Sequence, residues 1–138
     1  MIAHSDWKHD EVFEGSTEDG KTIVMDGNAA HQHGPSPMQA VLMALCSCTS
    51  VDVVNILLKK RQSLTGLRVT ATATQAEAPP RVFTHIHLTC AVRGKLSRKA
   101  VEDAVSLSKN KYCSVSKMIE KSAPVDYEII YPDGEPEP

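Results

Sequence analysis

Residues 34–60 read GPSPMQAVLMALCSCTSVDVVNILLKK, and the fold turns on whether this stretch crosses a bilayer or fills a globular core. The apolar run from Pro37 to Leu58 is long enough to span hydrocarbon. Asp52 and Asn55 sit inside it, and Gln39, Ser47, Thr49 and Ser50 dilute it further. A carboxylate at the bilayer centre costs about 3 kcal/mol on insertion scales, and nothing in the run offsets that. A helix that is apolar nearly all round is instead expected at the centre of a soluble fold. Ser36 is suited to the N-cap and Pro37 to the first helical position. Lys59, Lys60 and Arg61 put positive charge at the carbonyl end. The expectation is a buried central helix and no membrane span.

The remainder of the chain fits that picture. Its 138 residues would expose roughly 7,000 Å² when folded, against about 22,000 Å² unfolded, which suits one domain and not two. That domain is expected over residues 1–132, with 133–138, DGEPEP, as a disordered tail. Fifteen Lys and Arg against 17 Asp and Glu leave a net charge of −2, which speaks against nucleic acid or an acidic membrane surface as a partner. Aromatic residues make up 4% of the chain, so a stacking platform for single strands is missing. Met1 to Glu14 carries five charged residues and no continuous apolar stretch, unlike a secretory signal. A cytoplasmic location follows as the expectation, with its thiols kept reduced.

On either side of the helix the chain breaks into short elements. His4–Phe13 and Lys21–Met25 are expected strands, joined around Gly15 and the Asp19-Gly20 turn, with a polar loop from Asp26 to His33. Leu67–Ala73 and Val82–Val92 alternate as strands, the second with Val82, Thr84, Ile86, Leu88, Cys90 and Val92 on one side. Ser97 is an expected N-cap for a helix carrying Val101, Ala104, Val105 and Leu107. A short helix over 114–121 and a last strand over 125–131 complete an α+β pattern.

Four cysteines carry the candidate chemistry. Cys46 and Cys48 are two positions apart on a helix, so they point to different faces and cannot pair with each other. Cys90 lies on the apolar side of a strand, where a thiol serves as a small hydrophobe. Cys113, in Lys111-Tyr112-Cys113-Ser114-Val115-Ser116, falls at a junction of two helices. A thiol at a helix N-terminus with a lysine beside it is expected to have a depressed pKa. His31-x-His33 and His85-x-His87 could each offer two metal ligands, but no third ligand is near either in sequence, so no metal or cofactor is expected.

These motifs carry a family resemblance. Gly34-Pro35-Ser36-Pro37, with a cysteine eleven residues beyond Pro37, resembles the OsmC/Ohr family. Cys48-Thr49-Ser50-Val51-Asp52-Val53-Val54 and Tyr112-Cys113-Ser114-Val115-Ser116 look like the two cysteine motifs of its OsmC-like branch. The resemblance implies an intertwined homodimer in which antiparallel sheets wrap around long central helices. It also implies peroxide chemistry, with Cys48 as the peroxidatic thiol and Cys113 as the resolving one, organic hydroperoxides as substrates and a dithiol as reductant.

Two positions depart from the family pattern. Family peroxidases hold the thiolate with an arginine from the N-terminal region, and this chain has no arginine before Arg61. They also carry a glutamate directly after the proline that opens the helix, where this chain has Met38 followed by Gln39. A buried thiolate needs a compensating cation or donor, and His31 or His33 could supply one if their loop folds back. Without such a group, the alternative is a non-enzymatic relative that binds a small hydrophobic or thiol-reactive ligand, or senses redox state.

Overall fold

The computed structural model describes residues 1–138 and divides them into two compact units, Met1–Met43 and Ala44–Pro138. In the first unit β1 (Ala3–His9), β2 (Val12–Thr17) and β3 (Thr22–Asp26) form an antiparallel sheet in that order. The single strand expected over His4–Phe13 is therefore two. Asp10 enters the left-handed region at φ 46° and reverses the chain, and its carbonyl accepts a bond from Trp7 Nε1 at 2.9 Å. Gly15 lies inside β2 rather than in a turn; the reversal into β3 falls at Gly20, with φ 83°.

The loop after β3 is organised by Asp26. Its side chain accepts from the backbone N–H of Asn28 at 2.9 Å and of His33 at 3.2 Å, bonds that hold its pKa below the usual value despite burial. Gly34 then passes beside β3 so closely that an added Cβ would stand 2.5 Å from the Val24 carbonyl oxygen. That approach is the physical reason for a glycine ahead of Pro35-Ser36-Pro37. Helix α1 (Pro37–Lys59) starts as expected. Ser36 Oγ accepts from Gln39 N at 3.1 Å, and Gln39 Oε1 accepts from Ser36 N at 2.9 Å, a reciprocal capping box.

The second unit holds β4 (Ser63–Gln75), β5 (Phe83–Lys95) and β6 (Val125–Ile130) in one sheet. β4 and β5 pair antiparallel, but β6 runs parallel to β5, which corrects the expectation of wholly antiparallel sheets. Between β5 and β6 lie α2 (Arg98–Leu107), a π-helical turn over Ser108–Tyr112, and α3 (Ser114–Ile119). A helical crossover of that length is what a parallel return requires.

On β5 the side chains of Ile86, Leu88, Cys90 and Val92 are buried as the alternation foretold. Near the start of the strand, Phe83 is inward instead of Val82 and Thr84, because the register with β4 shifts between Thr74 and Gln75. Ser97 caps α2 by accepting from Ala100 N, and α2 buries Val101, Ala104 and Val105. The tail also has partners: Glu137 pairs with Ser97, and its carbonyl accepts from Arg98 N at 2.8 Å.

Helix α1 departs most from expectation. Only Leu45, Thr49, Val53 and Leu57, four residues apart along one stripe, are buried. Val53 and Leu57 pack with Cys90, Val92, Leu96, Ala100, Val101, Ala104 and Val105 into one cluster. Met43, Val51 and Leu58 remain 53%, 59% and 57% exposed. A straight helix meets one layer with one stripe, so a single chain covers one side of an all-round apolar helix. Leu57→Ala should therefore lower stability by about 3 kcal/mol, read from the urea midpoint.

Across the parallel β5–β6 pairing, His87 stands opposite Asp126. Asp126 bonds both His85, at 2.7 Å, and His87, and the other His87 nitrogen meets Glu128 Oε1 at 3.2 Å. Asp126 and then Glu128 raise the His87 pKa above its usual 6.5, while His87 and His85 lower that of Asp126 below 3.8. The His87 contribution is complete below pH 6.5 and fades as pH rises through the raised value. That of Asp126 is complete above pH 3.8 and fades as pH falls through the lowered one. His87→Gln should thus destabilise most between about pH 4 and 6.5 and approach wild type at alkaline pH, as thermal melts across pH would record.

Candidate functional site

Two of the four thiols meet within the second unit. Cys48 projects half-buried from α1, one position before the inward-facing Thr49. Cys113 follows the π-helical turn and is the N-cap of α3, with extended backbone at φ −71° and ψ 102°. Its amide donates to the Ser108 carbonyl at 2.8 Å, which ends the π-turn and aims the sulfur inward. Cys113 Sγ accepts from Ser116 N at 3.3 Å and from Thr49 Oγ1 at 3.8 Å, and the side chain is fully buried. The Cys48 thiol stands close enough to push the Cys113 pKa upward. Helix and capped turn thus bring together the two residues that the sequence singled out.

The electrostatics of Cys113 reverse the expectation. Burial, the largest influence, pushes its pKa up; Ser116 N–H and Thr49 O–H pull it down, and Cys48 pushes it up again. The net result is a raised pKa, not a depressed one. Lys111 does not help, because its Nζ lies 5.3 Å from the ring centroid of Tyr112 on the exposed side of the turn. A six-residue helix supplies one amide to the sulfur, and one amide does not outweigh complete desolvation.

Around the pair stands a set of anchors that sequence spacing could not reveal. Asp52, one turn beyond Cys48, accepts from Ser108 Oγ at 2.8 Å and so ties the π-turn to α1. At the C-cap of α3, Glu120 accepts from Lys109 Nζ at 3.1 Å and from Ser116 Oγ at 3.4 Å. Burial works against the Glu120 carboxylate, yet its partners Lys109, Lys117 and Ser116 outweigh it and hold its pKa below the usual value. Of these contacts only Ser116, three residues past a capping side chain, had a signal in the sequence.

The other candidates go elsewhere. Cys90 is buried and its thiol is pushed up to about 11 by burial and then by Cys46. Cys46 is half-buried and is itself raised by burial, with a bond to the backbone of Ala71 opposing. Thiols held in the neutral form are poor nucleophiles. In the first unit His31 Nδ1 bonds the Asp26 carbonyl at 3.0 Å, and the His33 ring meets the His9 ring edge-on at 5.2 Å. His85 and His87 do have carboxylate neighbours, contributed by a strand about 40 residues away in sequence. These groups bond one another, and no three of them are arranged to hold a metal ion.

Comparison with known proteins agrees with this architecture. A family model described as OsmC-like protein matches residues 29–128. Protein YhfA of Escherichia coli strain K12 is 43% identical over 133 residues, covering 94% of this chain and 98% of that protein. Among solved structures, an OsmC-like protein from Mycoplasma pneumoniae superposes with a TM-score of 0.82 at 12% identity, covering 94% of this chain and 95% of that one. The organic hydroperoxide resistance protein OhrB of Bacillus subtilis gives 0.61 at 20% identity, covering 94% and 98%. At those identities the two structures speak to the fold alone. With the family model matched over most of its length, the chain belongs to the OsmC-like protein family.

Proposed function

We propose that this protein is a thiol-dependent peroxidase that reduces organic hydroperoxides through Cys48 and Cys113. The observation that carries the reading is the approach of a half-buried helical thiol to a fully buried, hydrogen-bonded one. The Cys48 thiolate attacks an oxygen of the O–O bond. An S–O bond forms, the O–O bond breaks, and the alkoxide leaves and takes a proton to become the alcohol. The sulfenic acid of Cys48 then condenses with the Cys113 thiol, releasing water and forming a disulfide. A dithiol returns both sulfurs to the reduced state.

The working unit in this reading is a homodimer in the cytoplasm. Along α1, Ala44 and Val51 share the Cys48 side and are exposed, as are Met43 and Leu58 nearby. Apolar surface of this kind on a soluble protein calls for a cover. A second copy supplies one, and it would also wall the approach to Cys48 with apolar side chains suited to an alkyl tail. Sedimentation should then give twice the 15.0 kDa chain mass, and Val51→Asp should shift the protein toward monomer.

A second reading is favoured by Met38 in place of a glutamate, by the lack of any arginine before Arg61 and by the raised pKa of Cys113. In it the pair senses oxidation, or the protein binds a small hydrophobic ligand without turnover. Cumene hydroperoxide with excess dithiothreitol separates the two. Continuous peroxide loss that falls at least a hundredfold in Cys48→Ser supports the peroxidase. A Cys48–Cys113 disulfide that forms once, with no sustained consumption, replaces it with the sensor.

A further inference from the structure

The two sulfurs of the pair are unequal in a way that bears on reduction rather than oxidation. Cys113 is fully covered by its own chain, whereas Cys48 keeps part of its surface open on α1. Cys113 also has two fixed donors on its sulfur, Ser116 N–H at 3.3 Å and Thr49 O–H at 3.8 Å. The Ser116 amide belongs to the backbone of α3. The Thr49 hydroxyl is buried one residue from Cys48, on the stripe that packs α1 into the core.

We infer that the reducing thiol attacks Cys48 and not Cys113, and that Thr49 with the Ser116 amide positions and stabilises the departing Cys113 sulfur. This rests on the disulfide cycle proposed above and fixes its direction. In the step, a thiolate of the reductant forms a bond to Cys48 Sγ. The Cys48–Cys113 bond breaks and its electron pair leaves on Cys113, which accepts the two hydrogen bonds until it takes a proton. The second thiol of a dithiol then attacks the reductant sulfur of the mixed disulfide, releasing Cys48 as thiolate and the reductant as its own disulfide. Access selects the attacked sulfur in thiol–disulfide exchange, and the stability of the leaving thiolate sets much of the rate. Half-buried Cys48 leaves a thiol a side from which to approach, while Cys113 offers none within its chain. Burial outweighs the two donors at Cys113, so they offset only part of the cost of the leaving thiolate, and access rather than leaving-group stability selects the attacked sulfur.

Diamide makes the disulfide without any peroxide, so the test does not depend on peroxidase activity. Diamide-oxidised protein is mixed with glutathione, quenched with acid within its first turnovers, alkylated and mapped by mass spectrometry. Glutathione should be on Cys48 at least tenfold more often than on Cys113. Thr49→Val should slow reduction by dithiothreitol about fivefold, and Thr49→Ser should restore it. That rescue is read alongside the melting temperatures, because a merely structural loss would follow stability instead of the hydroxyl. Glutathione on Cys113, equal labelling of both sulfurs, resistance of the native disulfide to both thiols, or failure of diamide to join Cys48 and Cys113 would each overturn the inference. Peroxidase failure with Cys48 still attacked would overturn only the proposed function.

Discussion

Val53 and Leu57 lie against Cys90 and Val92 of β5 and against Val101, Ala104 and Val105 of α2, and the second unit is arranged around that contact. It fixes the rotation of α1 about its own axis. With Leu45, Thr49, Val53 and Leu57 turned inward, Cys48 falls at the edge of the buried stripe, and Asp52 can reach Ser108. Rotating the helix by one residue would bury Cys48, expose Thr49 and put Asp52 out of reach of its partner. The position of the thiol is therefore a by-product of hydrophobic packing, and the packing energy far exceeds the worth of any single contact at the sulfur.

Much of this could be read from residue order, and the unread parts share a cause. The α1 boundaries were legible because Ser36, Pro37 and Lys59 act within a turn of themselves. The Ser97 cap and the inward face of β5 from Ile86 to Val92 were legible for the same local reason. The parallel direction of β6 was not, since it depends on how the crossover packs and not on the composition of Val125–Ile130. Nor was the break at Asp10, where a residue that tolerates φ 46° leaves no glycine to mark the turn. The extent of α1 burial is not legible either, because a composition that is apolar all round does not say which molecule covers each side.

The site shows the same division. Cys48 and Cys113 stood out by motif, and each lies where its own element places it. The raised pKa of Cys113 is not legible, because a sequence shows the helix start and the lysine but not the burial that overrides both. Asp126 and Glu128 beside His85 and His87 are illegible for a related reason: a third strand brings them there. Charge and hydrogen bonding act over a few ångströms, and the fold, not the residue order, decides what lies within that distance.

The meeting of Cys48 and Cys113 also has a meaning for the unfolded chain. A bond between them would close a loop of 65 residues, from α1 through β4, β5 and α2 to the cap of α3. Loop-closure entropy makes such a link worth about 4 kcal/mol against the denatured ensemble. Nearly every element of the core cluster lies inside that loop. Oxidation of the pair would thus alter the resistance of the whole second unit to unfolding and proteolysis, so the redox state of two sulfurs would set how long the molecule persists.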